Sequence, residues 1–105
     1  MLIVTGSVTA RPETLAELTA VGIEHVERSL KEDGCLHHSI QADARNPLRL
    51  FFYEQWRDMA ALQAHFRVPE SGQFVARVRE LAADGDGIQL YEATALPSQI
   101  GRAHV

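Results

Sequence analysis

The chain has 105 residues, 46% hydrophobic and 23% charged, which fits one globular domain with a modest core and leaves no room for a second. A net charge of -4 and ten basic residues scattered without a stripe argue against nucleic acid, which needs clustered Lys and Arg. One cysteine, Cys35, rules out an intrachain disulfide, no stretch approaches the ~18 apolar residues of a membrane span, and MLIVTGSVTARPE lacks a signal-peptide pattern, so the expectation is a cytoplasmic protein.

Residues 2–10 alternate as a strand, with Leu2, Val4, Gly6, Val8 and Ala10 on one face and Ile3, Thr5, Ser7 and Thr9 on the other. Thr14 and Glu17 suggest a capping box for a helix over 13–31, whose stripe is Leu15, Leu18, Val21, Val26 and Leu30. Gly22 inside that helix costs ~1 kcal/mol in propensity and hints at a close approach. Gly34 offers a left-handed cap. A second strand over 35–43 groups Leu36, His38, Ile40 and Ala42 against Cys35, His37, Ser39 and Gln41. After a turn at 43–47, a third strand over 48–56 carries Leu50, Phe52, Glu54 and Trp56 on one face and Phe51 and Tyr53 on the other. Asp58 caps a helix over 59–67 with Met59, Leu62 and Phe66 as its stripe and His65 beside it. A helix over 70–83 shows Phe74, Val78 and Leu81; Asp84 to Gly87 reads as a tight turn; 88–94 reads as a fourth strand. The order β-α-β-β-α-β, with the second helix broken in two, predicts an α+β ferredoxin-like antiparallel sheet with helices on one face. The domain spans 1–95, with a tail over 96–105. The bare face bearing Phe51 and Tyr53 calls for a second copy as cover.

Asp33-Gly34-Cys35-Leu36 opening the second strand, Glu54-Gln55-Trp56 closing the third, and Ala60-Ala61-Leu62-Gln63-Ala64-His65 on the next helix together resemble the antibiotic biosynthesis monooxygenase family. Pro69 and Phe74 follow in the family's order. The wording is closest to its small cofactor-independent quinol monooxygenases. The resemblance implies a dimeric α+β barrel with the two sheets face to face. It also implies that His65, in the position of the family's histidine, moves a proton. The haem-degrading branch relies on an Asn on the first strand and a His on the last helix. Here those regions read Val4-Thr5-Gly6-Ser7 and Phe74-Val75-Ala76-Arg77-Val78, which have neither.

Glu54 on an apolar face must be paired or hydrogen-bonded. It meets a structural partner, or orients a histidine, or has a raised pKa and acts as a base. Trp56 is core or a flat pocket wall with an indole N–H to offer. His38 replaces an aromatic that the family usually has there, so it is either a titratable group in the pocket or a neutral core histidine. His37 points the other way, and no HxH, HExxH or Cys–His spacing occurs, so neither metal nor cofactor is expected. Cys35 has no evident activating neighbour.

The expected activity is cofactor-independent oxygenation of a quinol or other hydroxyaromatic by O2 in a homodimer. Without flavin or metal the substrate itself must reduce oxygen. A phenol of pKa ~10 does so well only as its anion. The base is His65 oriented by Glu54, or His38 acting from the facing strand. Trp56, Leu50 and Phe52 form apolar walls, and Phe66 and Phe74 close the helical side. Two alternatives stay open. One is an isomerase of a small carbonyl compound, with Arg45, Arg49 or Arg77 as a clamp for an anionic substrate. The other is a small-ligand-binding or stress-response module without turnover.

Overall fold

The computed structural model describes residues 1–97, and the tail expected over 96–105 lies mostly outside them. The element order is β1 (Leu2–Ala10), α1 (Leu15–Ser29), β2 (Cys35–Asp43), β3 (Asn46–Trp56), α2 (Met59–Arg67), α3 (Pro69–Leu81) and β4 (Ala82–Glu92). One antiparallel sheet runs in the order β2-β3-β1-β4. This is the expected ferredoxin-like α+β architecture. The core has two parts. Leu2, Val4, Trp56, Ala61 and Leu62 fill one end, and Ala10, Leu18, Leu50 and Leu81 fill the other.

Several local expectations shift. The fully buried face of α1 is Leu18, Gly22, His25 and Ser29; of the expected stripe Leu18 lies on it, Leu15 and Val21 pack part-buried against the core, and Leu30 is exposed. Gly22 explains the rotation, because a Cβ there would lie 2.4 Å from Ile40 Cδ1 and 3.2 Å from Phe52 Cζ. The small residue lets the helix settle onto the sheet, and the rest of the face follows at i+3 and i+7. Thr14 does not form the capping box. Its hydroxyl donates to the Leu81 carbonyl (2.6 Å) and accepts from the Arg11 N–H (3.1 Å), tying the start of α1 to the end of α3.

In β2 the register slips between Cys35 and His37, so Leu36 is the extra residue of a bulge. Cys35 therefore packs against the helix-side core rather than on the face of His37, and Leu36 is 54% exposed. On α2 the Asp58 cap forms, accepting from the Ala61 N–H at 2.9 Å. Its buried residues are Ala61, Leu62 and His65, while Met59 and Phe66 point outward. Asp84 to Gly87 does not make a separate tight turn. It belongs to β4, absorbed by register shifts and by Gly87 at φ +74°. Gly34 does adopt the left-handed conformation (φ +81°), in the turn that feeds β2.

Candidate active site

A cavity of about 380 Å³ lies between α3 and the β1–β4 side of the sheet. Phe52, Phe74, Val78 and Ile88 give it apolar walls, and His25 and Glu54 are among its few titratable lining groups. Its sheet side is cut by glycines. A Cβ at Gly6 would stand 2.9 Å from the Gly87 carbonyl oxygen, so only glycine fits there without displacing β4. On β4 the cavity residue Ile88 is 54% exposed, and Leu90, two residues further along, is 41% exposed.

Behind the cavity lies a buried polar network. Glu54 pairs with Val4 on one side and His38 on the other across the sheet, which aims its side chain at the helices. The Trp56 indole N–H donates to Glu54 Oε1 at 2.8 Å, and His38 Nε2 lies 3.4 Å from the same oxygen. Burial pushes the Glu54 carboxyl upward. The hydrogen bond and charge of His38, with the Trp56 N–H, outweigh that and hold it below the usual carboxylate range. His65 comes in from α2, its ring 4.5 Å from Trp56, and its Nδ1 lies 2.9 Å from Glu32 Oε1. His25 stacks on Phe74 at 3.9 Å, nearly parallel. Arg28 donates to its Nδ1 at 2.7 Å. Burial, then the neighbouring His38, His65 and Arg28, lowers the pKa of His25 to about 3. The Cys35 thiol is pushed up to about 11 by burial and by Glu54 and Glu32, which suits a packing residue rather than a nucleophile.

His38, Glu54, Trp56 and His65 thus share one buried cluster, while Phe52 and Phe74 line the cavity itself. The carboxylate beside His65 is Glu32, and Glu54 pairs with His38 instead. Leu50 lies in the second core cluster rather than at the cavity. Phe66 is 50% exposed, its ring 5.8 Å from that of His65. Sequence reasoning missed His25 and Glu32. The signal for His25 was the spacing of Leu18, Gly22, His25 and Ser29, a face hidden by the brighter apolar stripe beside it.

The sequence profile described as antibiotic biosynthesis monooxygenase matches residues 1–77. An uncharacterised Synechocystis protein, sll1783, is 31% identical over 91 residues, which is 87% of this chain and 62% of that protein's own length. The chain therefore spans less than two thirds of that relative. A Deinococcus radiodurans protein assigned to antibiotic biosynthesis monooxygenases superposes with a TM-score of 0.87 at 26% identity, over 92% of this chain and 96% of that one. The crystal structure of another antibiotic biosynthesis monooxygenase gives 0.81 at 27% identity, over 90% and 100% of the two chains. PA3566 from Pseudomonas aeruginosa gives 0.80 at 26% identity, over 90% and 94%. With the profile covering most of its length and the same fold in these relatives, the chain belongs to the antibiotic biosynthesis monooxygenase family.

Proposed function

We propose that the protein oxygenates a quinol or related hydroxyaromatic in the cavity under α3, without a cofactor, and that the Glu54–His38 pair takes the substrate's proton. Family membership supports monooxygenase-like chemistry in general. The observation that carries the finer reading is the Glu54 carboxylate at the wall of an apolar cavity lined by two aromatic rings, with the buried His38 imidazole 3.4 Å from its Oε1. Glu54 Oε1 receives Trp56 and faces His38, so the fixed pair presents one anchored carboxylate to a bound hydroxyl. A proton passing to this pair leaves the ring as a phenolate between Phe52 and Phe74. The anion reduces O2, one oxygen atom enters the product, and the other leaves as water. All four electrons come from the substrate. Apolar walls then shield the reactive oxygen intermediate from water.

This reading moves proton acceptance from His65 to His38 and Glu54. His65 keeps a supporting place against Trp56, anchored by Glu32. Of the cations an isomerase would recruit, Arg49 is engaged by Asp43, and Arg77 by Glu17 and Glu80. The working form is a homodimer that covers the sheet face opposite the helices.

The test is oxygen uptake by the metal-free protein with a panel of quinols and hydroxynaphthalenes. Turnover above autoxidation is expected. It should fall by about 10²-fold or more in Glu54→Gln and in His38→Gln, the scale of a lost general base. No turnover with any substrate, or full rates in both variants, overturns the proposal.

A further inference from the structure

His25, His38 and His65 come from three different elements, α1, β2 and α2, and all three are buried. One nitrogen from each lies within 4.8 Å of the other two. The ring centroids are 5.2, 5.3 and 6.1 Å apart. Three imidazoles on one tetrahedral ion, with metal–nitrogen bonds of about 2.0 Å, have nitrogens about 3.3 Å apart and ring centroids about 5 Å apart. The cluster is therefore within small side-chain rotations of a three-histidine metal site. We propose that these histidines bind one divalent transition cation of the Zn2+ class.

Two further features point to a ligand. His38 is 3% exposed, yet its Nδ1 has no hydrogen-bond partner among the described residues, and its Nε2 has only the long 3.4 Å contact with Glu54 Oε1. A buried polar atom left unpaired is costly and calls for an explanation. Secondly, His65 is anchored through Nδ1 by the Glu32 carboxylate. That is how metal-bound histidines are held, with the second nitrogen freed for the ion. An all-imidazole donor set selects Zn2+, Co2+, Ni2+ or Cu2+ over Mg2+ and Ca2+. Glu54, 3.4 Å from His38 Nε2, offers a further oxygen beside the cluster.

Arg28 opposes the ion. A guanidinium only donates, so its contact leaves the proton of a neutral His25 on Nε2. Ligation through Nε2 must move that proton to Nδ1 and turn Arg28 away. The site shares His38 with the proton acceptor proposed above, so a bound ion and substrate deprotonation compete for one imidazole.

The sequence carries no short-spaced metal motif because each ligand comes from a different element. Short-range motifs cannot reveal such a site; only the fold assembles it.

The experiment is calorimetric titration of the metal-free, full-length protein with Zn2+, and with Co2+ followed by its visible bands, with no substrate present. One ion per chain is expected, unaffected by Mg2+. Binding should weaken tenfold or more in His25→Ala and in His65→Ala and stay unchanged in His37→Ala. Arg28→Gln, whose amide oxygen can accept an Nδ1 proton, should bind more tightly. Zn2+ should also raise the melting temperature of the unsubstituted protein. Absence of binding there, or binding unaltered in His25→Ala and His65→Ala, overturns the proposal. The readout needs no turnover, so it stands or falls apart from the oxygenase reading.

Discussion

At the scale of single residues, the site depends on which polar groups the fold leaves paired. Glu54 is kept ionised by partners on its own strand and the next, whereas His25 is kept neutral chiefly by burial. The latter has a consequence for stability. The unfolded chain's His25 takes a proton near pH 6.5, and the folded one only near pH 3. Between those values the unfolded state binds more protons, so stability falls as pH drops. At ~1.4 kcal/mol per pH unit below 6.5, this residue alone removes about 2 kcal/mol between pH 7 and pH 5. Urea unfolding of the native chain and of His25→Leu at the two pH values measures it. The native chain should lose about 2 kcal/mol more than the variant on acidification, and equal losses would contradict the burial argument.

At the scale of elements, the two helical glycines Gly22 and Gly72 make opposite predictions. Gly72 in α3 has open space where a Cβ would go, so Gly72→Ala should gain about 0.5–1 kcal/mol from helix propensity. Gly22 meets Ile40 and the Phe52 ring, and overpacking of about 1–3 kcal/mol should cancel or exceed the same gain. Denaturant midpoints of the two variants should therefore move apart, and a stabilised Gly22→Ala would show that α1 does not rest on the sheet as described. The elements themselves were legible because strand alternation and the Asp58 cap are local signals. The rotation of α1 and α2 was not legible. In both helices small or polar residues (Gly22, Ser29, Ala61, His65) face the sheet at close range, while larger apolar ones such as Leu30 and Phe66 lie outside. The bulge at Leu36 was equally hidden, since alternation by two cannot register an inserted residue. Glu54, His38, His65 and Trp56 were named from the chain alone. Their pairing was not, because Glu32 and His25 reach the cluster only through tertiary approach.

At the scale of the molecule, one face of the sheet carries no helix among the described residues. Tyr53 lies opposite Thr5, and Tyr91 opposite Ile3, so both tyrosines fall on that side with Phe51. Tyr91 is 48% exposed. A second copy laid on this face would bury these rings, and sedimentation velocity should return a dimer that Tyr53→Glu dissociates. A monomer at micromolar concentration would remove that part of the proposal. No helix is long and apolar enough to cross a membrane among the described residues. The central claim, oxygen transfer to a hydroxyaromatic held at Glu54 and His38, is tested most directly by mass spectrometry of the product formed under 18O2. Incorporation of one labelled atom per product, lost with the rate in Glu54→Gln, is the predicted result. Unlabelled product, or labelling at the same rate in the variant, would contradict it.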